Sequence, residues 1–220
     1  MRITHHGHAC LLVETPDARI LIDPGNFSRR LDRVGEVDLV LMTHQHADHA
    51  DPDQLRVVLT NSPQARVTAE AQTAAAVTDA TAGEISPEPL TSGQSLSVGG
   101  TTIDLVGEMH AFNHDQVPQV GNLGVVVAEP DGARLFHPGD AYDAEPGGQV
   151  DVLALPLSAP WCAIRDTLDF VRRVSPRVAV PIHDALLSDE GRAMYLMHTG
   201  KFGGDGLDVR DLSDGTPADF

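Results

Sequence analysis

The sequence predicts a mixed α/β fold in a single domain spanning residues 1–220. Short runs rich in Val, Ile and Leu, bounded by Gly, Pro, Asp and Ser, recur along the whole chain as buried strands do. Four longer segments between them have the length and end signals of helices. With 220 residues, 41% of them hydrophobic, and no linker or fixed-period repeat, the chain can bury one sizeable core without staples.

In chain order, strands are predicted at residues 2–4, 10–14, 19–22 and 39–43. A helix follows over 52–59, opened by Asp51-Pro52-Asp53, with proline early in the first turn. A short strand at 66–68 precedes an Ala-rich helix over 70–78 and a Gly/Ser/Pro-rich loop. The second half repeats the theme with strands at 95–98, 101–109, 124–128, 134–136 and 152–155. The helix at 163–174 carries Ile164, Leu168 and Val171 on one stripe, a core-facing pattern. A strand at 177–182 and a helix at 188–198 complete the domain, and only residues 213–220 look free to leave it.

Composition narrows the function classes. Thirty-two acidic residues against 15 basic ones give a formal charge of −17, and Lys201 is the only lysine. Nucleic-acid binding draws on Lys and Arg contacts to phosphates; with no basic run in the chain, a small-molecule substrate is expected and a nucleic acid is not. No apolar stretch approaches the ~20 residues that cross a bilayer. The N-terminus lacks the pattern of an export signal, so the cytoplasm is the expected location. There Cys10 and Cys162 are expected as thiols.

The chemistry concentrates in Thr43-His44-Gln45-His46-Ala47-Asp48-His49, four potential metal ligands directly behind the apolar run 37–42. Two residues apart on extended backbone, His44 and His46 point to the same side, where one metal can take both. The turn before Asp51-Pro52 brings Asp48 and His49 toward a neighbouring point. Imidazole with carboxylate and no thiolate suits zinc, and also iron, manganese or cobalt.

This segment resembles the HxHxDH signature of the metallo-β-lactamase superfamily. The resemblance implies an αββα sandwich, two packed sheets with helices outside. It also implies three downstream ligands, for which the chain offers His110 in GEMHAFNH, Asp140 in HPGD and His183 after VAVPI. On that pattern His44, His46 and His110 hold one divalent ion, Asp48, His49 and His183 hold a second, and Asp140 bridges them. His114, four residues beyond His110, competes for the same place or faces substrate.

GHAC at residues 7–10 and LIDPG at 21–25 also resemble the family. By resemblance Asp23 supports a metal-bound His through its other ring nitrogen. His8 reads as a similar supporting or pocket residue, with less to support that reading for His5 and His6, and none of the three reads as a ligand.

The implied activity is hydrolysis, because two divalent ions ~3.5–4 Å apart lower the pKa of a shared water toward ~7 and stabilise the developing negative oxygen. Asp48 would orient that hydroxide, and His114, His137 and Tyr142 are the available proton donors for the leaving group. The short chain and its motifs most resemble the small lactonase-like branch, acting on an ester, lactone or phosphodiester. The other functions open to this site are iron-dependent redox chemistry and a non-catalytic scaffold. Residues 111–122 and 157–162, with Trp161 as an apolar wall, are expected to line the pocket.

Overall fold

A computed structural model describes all residues, 1–220. Its first half runs β1 (Arg2–His5), β2 (Leu11–Glu14), β3 (Arg19–Ile22), β4 (Leu39–Met42), α1 (Pro52–Asn61), β5 (Arg66–Glu70), α2 (Ala71–Ala80) and β6 (Glu88–Leu90). The second half runs β7 (Ser95–Val98), β8 (Thr101–Val106), β9 (Gly124–Ala128), β10 (Arg134–His137), β11 (Val152–Pro156), α3 (Ile164–Val174), β12 (Val178–Ile182), α4 (Asp189–Phe202), β13 (Asp208–Val209) and β14 (Ala218–Asp219).

Two seven-stranded sheets result, in the orders β14-β1-β2-β3-β4-β5-β6, where the C-terminal β14 crosses back to join the six strands of the first half, and β13-β12-β11-β10-β9-β8-β7. In both sheets an antiparallel part passes into a parallel part, at β3–β4 and at β10–β11. Strand alternation makes the layers. In β4, Leu39 and Leu41 join the core between the sheets, whereas Val40 and Met42 pack under α1 and α2. In β11, Val152 and Ala154 face the central core, and Leu153 and Leu155 face α3. Strands buried on both faces need apolar side chains at every position, which is why they read as continuous runs. The result is an αββα sandwich.

The helix starts follow from their caps. Asp51 accepts from the Gln54 amide at 2.9 Å, Glu70 from those of Gln72 and Thr73, and Ser188 from that of Gly191. In α3 the buried face is Thr167, Phe170 and Val171; Ile164 and Leu168, expected to lead the stripe, are only half-buried. The last residues also differ from expectation: β14 pairs with β1, and Phe220 packs against the central core. Strand β8 stops at Val106, three residues short of its expected end, where Gly107 takes φ +74°. No helix is long and apolar enough to cross a membrane. Both cysteines are free thiols, Cys10 buried and Cys162 half-buried.

The carboxyl ends of the parallel strands β4, β10, β11 and β12 carry His44, Asp140, Trp161 and His183 in the segments that follow them. Open α/β sheets bind ligands at this end.

Candidate metal centre

The loop after β4 is fixed from below. Asp23, fully buried, accepts from the Thr43 amide and the Thr43 hydroxyl, both at 2.7 Å, and from His49 Nδ1, also at 2.7 Å. Gly25 presses on the same loop: a Cβ there would lie 1.9 Å from the Asp48 carbonyl carbon, so only glycine fits. The Asn26 amide donates to Ala47 O at 2.7 Å, and the Asp51 cap then launches α1. On the opposite sheet, Asn122 holds the HPGD turn, its Oδ1 accepting from the Asp140 amide and its Nδ2 donating to Pro138 O, both at 2.9 Å.

Two groups of ligand atoms result, each with its atoms within 4.8 Å of one another: His44, His46, His110 and Asp140, and next to them His8, Asp48, His49 and His183. Asp140 stands between the groups. Its Oδ2 is 3.1 Å from His183 Nε2, 3.5 Å from His110 Nε2 and 4.0 Å from His44 Nε2, while Oδ1 is 3.2 Å from His49 Nε2.

Protein acceptors fix most of the tautomers. His49 Nδ1–H donates to Asp23, His183 Nδ1–H to Ser158 O at 2.8 Å, and His110 Nδ1–H to Ala111 O at 2.6 Å. The Thr43 hydroxyl gives its hydrogen to Asp23, so at 3.1 Å it accepts from His44 Nδ1–H. Each of these four rings therefore turns its Nε2 toward Asp140, and in the neutral form that atom carries the lone pair. His46 approaches through its other nitrogen, Nδ1, 3.1 Å from His44 Nε2.

His8 differs. The Ala185 amide donates to its Nδ1 at 3.4 Å, so Nε2 carries the proton and donates to Asp48 Oδ2 at 3.1 Å. His8, Asp23 and His183 all hold positive φ, between 51° and 57°. Such backbone costs about 1–3 kcal/mol per residue and persists where the surroundings over-determine it.

The electrostatics are those of a centre that lacks positive charge. Burial by itself would raise the Asp140 carboxyl, but His49 and His183 beside it hold it well below the usual carboxylate range. Against the opposing effect of burial, Asp140 and Asp23 push His49 well above the ordinary imidazole value, and Asp140 raises His183. His44 is driven well below that value by burial and by His49. Asp48 is lowered against its own burial, chiefly by the His8 hydrogen bond.

His49 Nε2, His110 Nε2, His183 Nε2 and Asp140 Oδ1 are buried without a hydrogen-bond partner. Such orphans cost about 1–3 kcal/mol each when left unmatched. Lone pairs converging from imidazole and carboxylate are what a divalent cation satisfies, so these residues fit one.

Three residues considered as proton donors lie elsewhere. The Tyr142 hydroxyl, expected as a candidate leaving-group acid, donates to Pro156 O at 2.6 Å and neighbours Thr167 Oγ1 at 3.0 Å, and burial raises its pKa well above the ordinary value. His137 is likewise committed, donating from Nε2 to Ala9 O at 2.9 Å and accepting the Gly139 amide at Nδ1. His114 is exposed, takes the Gln116 amide at Nδ1, and belongs to neither ligand group. It is His110, not His114, that stands beside Asp140. Two supports of Asp140 carry no signal in the sequence: Asn122, and the hydrogen bond from Trp161 Nε1 to Asp140 Oδ2 at 3.0 Å.

The profile of the beta-lactamase superfamily domain matches residues 2–183. Protein Rv0786c of Mycobacterium tuberculosis is 40% identical over 199 residues, 89% of either chain. A UPF0173 metal-dependent hydrolase of Carboxydothermus hydrogenoformans is 27% identical over 197 residues, 83% of this chain and 84% of that one. Among solved structures, Igni18, a metallo hydrolase of Ignicoccus hospitalis, superposes with a TM-score of 0.75 at 21% identity, covering 100% of this chain and 98% of that one, and so shares the fold.

Proposed function

The chain belongs to the metallo-β-lactamase superfamily and is a metal-dependent hydrolase; from that premise we propose a dinuclear enzyme that cleaves a small ester, lactone or phosphodiester. One observation carries the reading: four histidines spend Nδ1–H on protein acceptors and aim Nε2 at the space around Asp140. A hydrogen bond on one ring nitrogen is how metal-binding imidazoles are oriented and made more basic.

We assign His44, His46 and His110 to one divalent ion, Asp48, His49 and His183 to the other, and Asp140 to both. Zinc suits this donor set, as manganese and iron also do. When bound, the ions supply an acidified water and positive charge for the developing oxyanion.

The remaining work falls to the chain. Asp23 fixes His49 and the Thr43 turn, and Asn122 fixes Asp140 through its backbone. His8, with its proton on Nε2, serves as a donor to Asp48 rather than as a ligand. That leaves Asp48 Oδ1 free, and Asp48, whose side chain is 24% exposed, is the carboxylate best placed to accept a proton from an attacking water.

Protein reconstituted with zinc and with manganese is to be screened against lactones, phosphodiesters and thioesters. Hydrolysis of one class that disappears in Asp140→Ala is expected. Turnover in Asp140→Ala equal to that of the wild type would refute the proposal.

A further inference from the structure

Beside the ligand groups lies a cleft of about 380 Å³ lined by Ala111, Phe112, Tyr142, Asp143, Trp161 and Arg173. The chain is poor in aromatics, with six Phe, two Tyr and one Trp. One Phe, one Tyr and the only Trp meet at this one place.

The cleft is continuous with the centre. Ala111 follows His110, its amide donates to Asp140 O at 2.8 Å, and Tyr142 lies two residues beyond Asp140. Trp161 is the shared wall: Nε1 holds Asp140, the ring stands 6.1 Å from His110 and 6.4 Å from His183, and it meets Tyr142 edge-on at 4.8 Å.

Of the polar lining groups, Asp143 is exposed, whereas Arg173 and the Tyr142 hydroxyl are committed. Arg173 pairs with Glu145 at 3.1 Å and donates to Tyr142 O, and the Tyr142 hydroxyl is turned away to Pro156. Phe112, by contrast, is 60% exposed. With Ala111, Tyr142 and Trp161 it forms a contiguous apolar lining in a concave site beside the ligand groups, the kind of surface that takes an apolar ligand group.

We infer that this cleft is the specificity pocket of the enzyme and takes an aromatic or compact apolar group of the substrate, stacked between Phe112 and Trp161. The inference rests on the hydrolase reading above, since it places the scissile group at Asp140 and the apolar arm across the indole. Substrates with an aryl or branched alkyl arm are then preferred over those with a charged or methyl arm. Trp161 is a positioning residue as well as a wall, because the N–H that holds Asp140 belongs to the ring on which the arm lies.

Trp161 is the only tryptophan, so its fluorescence reports the pocket directly. Zinc-loaded protein is titrated with acetate and with 3-phenylpropionate, two product-like carboxylates that differ only in the arm, and chelator-treated protein with benzyl alcohol. Phenylpropionate is expected to bind at least about tenfold tighter than acetate and to shift the emission. Phe112→Ala, which is none of the proposed ligands, should cut that preference several-fold and leave acetate unchanged, as loss of one aromatic pair would do.

Equal affinity for the two carboxylates, or a preference that survives Phe112→Ala, would overturn the pocket. If benzyl alcohol shifts the emission and weakens in Phe112→Ala, while neither carboxylate responds to zinc, the pocket stands and the metal reading falls.

Discussion

Replacing Asp23 with Asn tests whether the centre is held from behind. The change keeps shape and volume but exchanges one carboxylate oxygen for an NH2 group. Asp23 accepts three hydrogen bonds, each at 2.7 Å, two of them on Oδ2 from Thr43 Oγ1 and His49 Nδ1. If the remaining Asn oxygen keeps the Oδ2 place, the NH2 confronts the Thr43 amide, and the turn loses a charge-assisted bond worth about 1.5–3 kcal/mol. If it takes the Oδ1 place, the NH2 faces His49 Nδ1, which must then accept. The proton moves to Nε2, and His49 can no longer offer a lone pair beside Asp140. Either outcome weakens metal binding, by about 10–100-fold on the usual scale for such supporting groups. Zinc affinity measured by competition with a chromophoric chelator reads the effect. Asp23→Asn with wild-type affinity and a wild-type melting temperature would refute the argument that this buried carboxylate orients His49.

Gly25→Ala should destabilise the protein by about 3 kcal/mol in urea unfolding, because its Cβ overlaps the Asp48 backbone and neither loop can give way. His8→Phe keeps a ring under Phe27 but removes the donor to Asp48; metal affinity should fall about tenfold, read by the same chelator competition. Metal binding should release protons. His49 and His183 are raised above the ordinary value of 6.5, so without metal they keep protons at pH values where a free imidazole has lost them. An incoming cation must displace those protons, and zinc affinity therefore climbs with pH above 6.5 until they are gone. Calorimetry in buffers of different ionisation enthalpy measures the release, and His49→Asn should reduce it.

Much of the fold was legible because its central strands are buried on both faces and read as unbroken apolar runs. The strands that escaped notice are edges. Glu88–Leu90 is three residues with a proline in the middle, and the pairs Asp208–Val209 and Ala218–Asp219 are too short for any period to show. Helix α4 runs past its expected end at residue 198 to Phe202, tolerating Gly200 in its interior, and stops at Gly203.

In the site, the ligand-rich loop announced itself because its ligand types fall within six residues. Its supports did not, since Asn122 and the Trp161 N–H reach Asp140 only through the packing of distant segments. Tyr142 is a related case: it lies two residues from Asp140 along the chain, yet its hydroxyl bonds to Pro156 O, a direction that sequence proximity does not contain.

The central claim is a two-ion centre organised on Asp140, and metal content tests it most directly. Protein purified without chelator, or reconstituted with zinc and desalted, is measured by inductively coupled plasma mass spectrometry alongside Asp140→Ala and His46→Ala. Two equivalents per chain are expected in the wild type, and the loss of at least one in each variant. One equivalent or none in the wild type, or two retained in both variants, would contradict it.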